Sequence, residues 1–160
     1  LAVATLRDQI EAGARAVQVF DSWAGVLSRA DYERFVLPSS RRIFEGISDK
    51  GVPAVHFGVG TGELLGSMQR AGASVVGVDW RVPLDEAARR APGAVCLQGN
   101  LDPAICLAPW EVVAERARAV LSAAPADKGH IFNLGHGVLP QTDPATLERL
   151  VELVHAETAT

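Results

Sequence analysis

The sequence has little cysteine, no long hydrophobic run and no excess of positive charge. Its two cysteines, Cys96 and Cys106, form no CxxC pair, which argues against a disulfide framework or a zinc knuckle and favours a reducing cytoplasm. The longest stretch without Asp, Glu, Lys or Arg is the 14 residues of 129–142, which is too short and too polar to span a membrane. The net charge of −4 excludes a broadly basic surface for nucleic acid.

The length and composition are those of one ordinary globular domain, with 160 residues, 48% of them apolar and 21% charged. The chain starts at Leu1 rather than Met and enters a helical pattern directly, ended by Gly13. No basic segment precedes an apolar run, so the start is not a signal peptide. We therefore expect a single partial domain over 1–160, with a further N-terminal portion missing from this sequence.

Five short apolar runs are predicted to be buried strands, each followed by a loop and a helical pattern. They are 16–20, 52–57, 74–79, 94–98 and 130–134. This alternation predicts an α/β fold with a parallel sheet, either doubly wound or a (β/α)8 TIM barrel. Because a barrel typically needs about 250 residues and eight strands, the barrel interpretation makes this chain the C-terminal five βα units.

Two helices carry clear start signals. Ser28 and Asp31 have the spacing of a capping box. The last helix is predicted to begin at Asp143-Pro144. It is predicted to bury an apolar stripe made of Leu147, Leu150, Val151 and Val154.

Polar and glycine-rich sequence follows all five predicted strands, where ligands bind in either fold. Asp21-Ser22 follows the first strand and is, taken by itself, a pair typical of a turn or cap. His136 follows the fifth strand between two glycines, which leave its imidazole uncovered. His56 lies inside the second strand and is predicted to be a hydrogen-bonded core or barrel-lining residue. The pattern predicts a site on one face without naming its chemistry.

One segment imitates an S-adenosylmethionine-dependent methyltransferase. The loop 58–62, Gly-Val-Gly-Thr-Gly, follows a strand, and Asp79 ends the next strand where a Rossmann-like fold places a ribose-binding carboxylate. Such a motif normally sits on the first strand of its sheet, whereas a strand and several helices precede it here. It also leaves 20–25 and 133–140 without a role. The methyltransferase interpretation is kept as an alternative.

Those remaining segments resemble the uroporphyrinogen decarboxylase family. Five blocks agree with that family in order and spacing, from the first helix to Val154-His155. The blocks are Phe20-Asp21-Ser22-Trp23-Ala24-Gly25, His56-Phe57-Gly58, Gly77-Val78-Asp79-Trp80, Gln98-Gly99-Asn100-Leu101-Asp102-Pro103 and Asn133-Leu134-Gly135-His136-Gly137. The resemblance implies a (β/α)8 barrel in which the predicted strands are the fourth to the eighth.

The resemblance also implies a reaction. The family converts the four acetate side chains of uroporphyrinogen III to methyl groups, giving coproporphyrinogen III in haem and tetrapyrrole synthesis. It uses no metal and no organic cofactor, and the resemblance implies a homodimer acting on this small-molecule tetrapyrrole. The family's substrate-contacting Ser, Thr in some members, falls on Ser22, and its motif His falls on His136. A hydroxyl and an imidazole both suit the substrate's carboxylates.

Three functional elements of the family have no match in this sequence. They are a pair of arginines, an Asp that binds the pyrrole N–H groups and stabilises the cationic intermediate, and a Tyr before the fourth strand. No catalytic residue is therefore assigned in this sequence, and the chain alone is predicted to be inactive. Its open sheet edges further predict that it is poorly soluble or self-associates.

Two further alternatives are a zinc-binding methyltransferase and a half-barrel without catalytic activity. Corrinoid-linked methyltransferases of the same barrel superfamily bind zinc through a His-x-Cys pair after the fifth strand, but this sequence has His56-Phe57-Gly58, in which Gly supplies no ligand. A non-catalytic half-barrel that serves only as an interaction partner also stays open.

Overall fold

The computed structural model describes residues 1–159 and contains a parallel five-stranded sheet. Thr160, the last residue of the predicted domain 1–160, lies outside the described residues. The strands are β1 (Val17–Phe20), β2 (Ala54–Phe57), β3 (Val75–Gly77), β4 (Cys96–Leu101) and β5 (Gly129–Leu134). All five predicted strands are confirmed.

The fourth strand is longer than the sequence pattern predicts. It continues to Leu101 instead of ending at 98, although Gly99 and Asn100 are poor strand formers. Tertiary hydrogen bonds overcome that preference, because the Asn100 side-chain amide donates to the carbonyls of Asp79 (2.8 Å) and Val82 (2.6 Å).

Helices precede the first strand, connect successive strands and follow the last strand. They are α1 (Ala2–Glu11), α2 (Arg29–Asp31), α3 (Leu37–Glu45), α4 (Leu65–Arg70), α5 (Leu84–Arg90), α6 (Trp110–Ala123) and α7 (Pro144–Thr158). A π turn over Tyr32–Val36 joins α2 to α3. Short 3₁₀ turns occur at Ala24–Val26, Ser48–Lys50 and Pro103–Leu107.

The predicted helix starts are confirmed by their capping contacts. The Ser28 hydroxyl accepts from the Asp31 backbone N–H (3.1 Å) and donates to the Asp31 carboxylate (2.8 Å). The Asp143 carboxylate accepts from the Ala145 N–H (3.0 Å), and Pro144 supplies the preset φ of a first helical residue.

The strand order decides between the two predicted folds. Each strand pairs in parallel with the next along the chain, in the order β1-β2-β3-β4-β5. The helices α3 to α7 pack on one another in the same order, as one layer. A doubly wound sheet needs a reversal of strand order with helices on both faces. The described part of the chain has neither, so it consists of five consecutive βα units of a (β/α) barrel.

The core lies between the sheet and this helix layer. Strand side chains that point towards the helices, such as Val17, Val76 and Leu97, are buried. They pack against apolar side chains of the helices, including Leu6, Leu65 and Leu84. The alternate strand residues face the opposite, concave side of the sheet.

The last helix differs from the prediction at one position. Leu150 is buried, and Leu147 and Val154 pack partly against the same cluster, but Val151 is 53% exposed. The predicted burial of Val151 is wrong, because α7 packs on α6 and leaves Val151 beside an open groove. This groove, which we call the β5 groove, has a volume of about 230 Å³ and is lined by Phe132, Asn133, Leu134, Leu147, Leu150, Val151, Val154 and His155.

Both outer strands of the sheet have one unpaired edge within residues 1–159. β1 pairs only with β2, and β5 pairs only with β4. Phe20 and Ile131 on these strands are 67% and 44% exposed. In the described range, none of the helices combines the length and the apolar character that a membrane crossing requires.

Candidate functional site

A cavity of about 530 Å³ lies on the concave face of the sheet, at the carboxyl ends of the strands. Side chains from both outer strands and from two inner strands form its wall. The lining residues are Gln18, Phe20, Ser22, Phe57, Gln98, Asn133, Leu134, His136, Gly137 and Val138. The structure thus brings Ser22 and His136, the two site residues predicted from the sequence, into one cavity.

Ser22 reaches this concave cavity from a turn that directly follows β1. The Asp21 N–H donates to the Phe57 carbonyl (2.7 Å), which continues the pairing with β2 past the end of the strand. Phe20 lines the cavity, so alternation along the strand places Asp21 on the helix side. Ser22 lies in the turn that the Ala24 N–H closes by donating to the Asp21 carbonyl (3.1 Å), and it also lines the cavity.

His136 is held at the cavity by the loop after β3. Its ring meets the Trp80 ring edge to face, with centroids 6.3 Å apart and an interplanar angle of 88°. The two loops touch at Gly135, where an added Cβ would overlap the backbone nitrogen of Trp80. The Gly135 N–H also donates to the Leu101 carbonyl (2.7 Å), so the backbone before His136 is fixed to β4.

Asp79 organises the loops after β2 and β3 and is almost fully buried. Its carboxylate accepts from the Gly60 N–H (2.6 Å), from the Arg81 N–H (3.1 Å) and from the Arg81 guanidinium (2.8 Å). Arg81 in turn stacks on Trp80, with its guanidinium carbon 4.0 Å from the ring centroid. The carboxylate therefore accepts from protein donors on both of its oxygens and joins the loop after β2 to the loop after β3.

The remaining two carboxylates at the strand ends do not face the concave cavity either. Asp21 lies on the helix side, where its Oδ2 is 3.6 Å from the His56 Nε2. Asp102 caps the 3₁₀ turn after β4 by accepting from the Ala104 N–H (2.9 Å). No Asp or Glu is among the residues of 1–159 that line the cavity.

A pair of amides crosses the cavity floor. The Gln98 side-chain amide on β4 donates to the side-chain oxygen of Gln18 on β1, at 3.0 Å. This contact spans the curved sheet, because two strands lie between the pair. It leaves the side-chain NH₂ of Gln18 free to donate towards a ligand.

The chain resembles known proteins in its sequence and in its fold. The sequence matches the family model described as uroporphyrinogen decarboxylase (URO-D) over residues 1–157. The chain belongs to the uroporphyrinogen decarboxylase family. The uroporphyrinogen decarboxylase of Streptomyces coelicolor is 64% identical over 158 residues, which cover 99% of this chain and 44% of that protein. That of Thermobifida fusca is 66% identical over 154 residues, covering 96% and 43%.

This chain therefore spans less than half the length of the curated uroporphyrinogen decarboxylases that it matches. Among solved structures, a methyltransferase from Methanosarcina mazei superposes with a TM-score of 0.84 and 17% identity, covering 99% of this chain and 47% of that chain. At this identity the likeness shows the fold alone, which is the same run of consecutive βα units.

The structure argues against S-adenosylmethionine binding. Loop 58–62 closes onto Asp79 through the Gly60 N–H, and Arg81 occupies the carboxylate from the other side. The Asp79 carboxylate is almost fully buried and both of its oxygens already accept from protein donors, so it is not open to the two hydroxyls of a ribose. The sequential strand order also differs from that of a Rossmann-like sheet, which reverses at its binding crevice.

The cysteines take no part in the candidate site. Cys106 is buried and Cys96 is half-buried, and burial raises the pKa of both thiols, which disfavours the thiolate form. Within residues 1–159, no three side chains of His, Cys, Asp or Glu are grouped as metal ligands. Gly58 after β2 offers no side chain where a zinc site of the His-x-Cys type needs a thiolate.

Several cavity residues were not predicted as site residues from the sequence. They are Gln18, Phe20, Phe57, Gln98 and Asn133. The signal was available in the two-residue alternation of the strands, since each of these positions faces away from the buried core positions of its strand. Which strand positions face the cavity became clear only from the register that joins the strands.

We expect Gly135→Ala to disrupt the site, whereas Gly137→Ala is tolerated. A Cβ at Gly135 overlaps the Trp80 backbone, but one at Gly137 meets nothing within 4 Å. Relieving the overlap should cost about 2–3 kcal/mol of stability or displace the loop of His136. Denaturant unfolding of the two variants, side by side, measures the difference. Equal free energies of unfolding with unchanged substrate affinity would contradict the proposed close approach.

Proposed function

We propose that this chain supplies the C-terminal part of a uroporphyrinogen decarboxylase barrel and binds its substrate in the concave cavity. The proposed reaction removes the carboxyl groups from the four acetate side chains of uroporphyrinogen III to give coproporphyrinogen III. The observation that carries the proposal is that Ser22 and His136 meet in one cavity of a chain that belongs to this family.

The chemistry of the cavity suits an anionic tetrapyrrole. Ser22, His136 and the Gln18 amide are hydrogen-bond donors to carboxylates, and no acidic side chain among the described residues lines the cavity. Phe20 and Phe57 add an apolar wall, with ring centroids 6.0 Å apart in an edge-to-face arrangement. Donors at one side and an apolar surface at the other match a ring system that carries acidic side chains.

The chemistry of decarboxylation sets a further requirement. Loss of CO₂ leaves an electron pair on the acetate methylene carbon, and a pyrrole protonated at a ring carbon can accept it. That protonated ring is cationic, so a carboxylate placed against it lowers the barrier. Because Asp21, Asp79 and Asp102 all face away from the cavity or are engaged elsewhere, we propose that this carboxylate comes from outside residues 1–159.

The remaining properties are proposed from the family resemblance and the composition. The proposed assembly is a homodimer in the cytoplasm that acts on a small tetrapyrrole without a metal or an organic cofactor. Neither nucleic acid nor a membrane is a proposed partner. The homodimer is tested by sedimentation velocity of a complete barrel, for which two copies per particle are expected.

We expect Ser22→Ala and His136→Leu to raise KM for uroporphyrinogen by about tenfold each, because each loses a hydrogen bond to a charged carboxylate. The assay uses a completed barrel, in which the preceding part of the Streptomyces coelicolor relative is joined to this chain. Ser22→Thr retains the hydroxyl and should keep KM close to that of the unmutated protein. Ser39→Ala on α3 is the matched surface control. Unchanged KM in both site variants would refute the assignment of Ser22 and His136.

A further inference from the structure

A buried acid–imidazole pair lies directly behind the Ser22 loop. Asp21 follows β1 and points to the helix side, and His56 on β2 pairs in register with Val19. The His56 side chain is completely buried, whereas 23% of the Asp21 side chain is exposed. The Asp21 Oδ2 and the His56 Nε2 are 3.6 Å apart.

The two ring nitrogens of His56 have different surroundings. Its Nδ1 is 3.3 Å from the Met68 carbonyl oxygen. Its Nε2 faces the Asp21 Oδ2, and these two buried atoms have no hydrogen-bond partner at closer range among the described residues. A proton on Nε2 directed at the carboxylate gives each buried atom the other as its partner.

The side chains that lie next to the pair are uncharged. The Phe44 ring from α3 packs on the imidazole, with centroids 5.1 Å apart. Tyr32 from the π turn is buried nearby, and burial raises its pKa to about 12, so its hydroxyl is neutral. Ser40, which lies near that hydroxyl, is also neutral. No other ion pair of Asp21 or His56 occurs within residues 1–159.

Asp21 connects the buried pair to the concave cavity, because its neighbours Phe20 and Ser22 line that cavity. The backbone of Asp21 is held by its N–H on Phe57 and by its carbonyl, which accepts from the Ala24 N–H at 3.1 Å. Gly58 packs so closely that an added Cβ would lie 2.9 Å from the Asp21 carbonyl oxygen. With backbone and side chain both fixed, Asp21 determines how Phe20 and Ser22, on either side of it, are presented to the cavity.

We propose that Asp21 and His56 form a buried carboxylate–imidazole pair that positions Ser22 for substrate binding, an inference that rests on the proposed function. The two are positioning residues, since neither lines the cavity. The pair replaces hydration of the Asp21 carboxylate with a partner of fixed geometry. Removing the donor should therefore loosen the loop at Ser22 and weaken substrate binding more than it slows the chemical step.

Two substitutions of His56 separate positioning from packing. In the completed barrel, His56→Leu fills much of the same space without a donor and should raise KM about tenfold, with kcat changed less than about threefold. His56→Gln places an amide N–H near the position of Nε2 and should restore KM to within about threefold of the parent. Val113→Ala, a buried change on α6 in a different core cluster from that of Ala24 after the Ser22 turn, is the control for a general loss of stability. Equal KM for His56→Leu and His56→Gln would overturn the proposal.

Amide hydrogen exchange keeps the test independent of activity. His56→Leu should speed exchange across residues 21–27 by about tenfold or more, whereas His56→Gln and Val113→Ala should leave those amides near the parent rate. If the completed barrel does not decarboxylate uroporphyrinogen at all, the proposed function fails, and exchange still decides whether the pair holds the loop. Unchanged amide exchange of residues 21–27 in His56→Leu would contradict the positioning role, even if the completed barrel is active.

Discussion

Assayed alone, the chain is expected to leave uroporphyrinogen III intact, whereas the completed barrel is expected to decarboxylate it. The difference in rate should be at least about 10³-fold. Loss of one preorganised electrostatic group costs about 10²–10³ in kcat. The resemblance to the family implies that two substrate-binding arginines and a Tyr are also absent from this sequence. This is the largest effect on catalysis that the structure predicts.

The chain alone is expected to be inactive because each carboxylate at the strand ends is held by contacts outside the concave cavity. Asp79 pairs with the Arg81 guanidinium and accepts from two backbone N–H groups, and Asp102 caps a turn. Asp21 faces the helix layer and His56. Turning Asp21 or Asp79 into the concave cavity would leave a buried group without its partner, and turning Asp102 would remove the cap of the 3₁₀ turn. None of the three is therefore available to stabilise a cationic pyrrole.

The measurement is the formation of coproporphyrinogen under anaerobic conditions, followed by chromatography of the oxidised porphyrins. The chain alone, the completed barrel and a mixture of the two parts as separate polypeptides are compared at equal concentration. Binding of the substrate without turnover in the chain alone would agree with a half-site made of Ser22 and His136. Turnover by the chain alone at the rate of the completed barrel would show that one of the three carboxylates can leave its partners and reach the cavity.

The elements that repeat along the chain were predictable because their signals are local. Apolar runs located all five strands, and the pairing of Ser28 with Asp31 located a helix start. The end of β4 was not predictable in this way, since Asn100 continues the strand by bonding to carbonyls about 20 residues earlier in the sequence. The exposure of Val151 depends in the same way on which neighbours α7 has, not on its periodicity.

The candidate site, too, was predictable from the sequence only in part. The positions of Ser22 and His136 after strands indicated one face, but only the resemblance to a family gave them a role. Asp79 shows that motif spacing alone can mislead. A glycine-rich loop followed by a carboxylate fits a nucleotide-binding site, but in the structure the carboxylate is engaged by Gly60 and Arg81. The contact between Gln18 and Gln98 joins residues 80 positions apart, so it follows from sheet curvature and from no local pattern.

In the absence of the rest of a barrel, the chain is expected to self-associate. Its accessible surface is 8829 Å², whereas a folded monomer of 16.9 kDa typically exposes about 7,700 Å². Part of the excess is apolar and lies at the unpaired strands, where Phe20 and Ile131 are exposed, and in the β5 groove. Unpaired parallel edges with apolar neighbours are templates for pairing with another chain.

Sedimentation velocity over a range of concentrations measures this association, and the expected result is oligomers that grow with concentration. Val151→Lys places a charge in the β5 groove and should shift the distribution towards the monomer, whereas Val112→Lys, which adds the same charge on α6, should not. The preceding part of the Streptomyces coelicolor relative, added as a separate polypeptide, should compete for the same edges and yield a one-to-one complex. A monodisperse 16.9 kDa monomer with cooperative unfolding would instead show that these edges are stable in water. Inactivity of the chain alone would then follow from its missing carboxylate and not from its assembly.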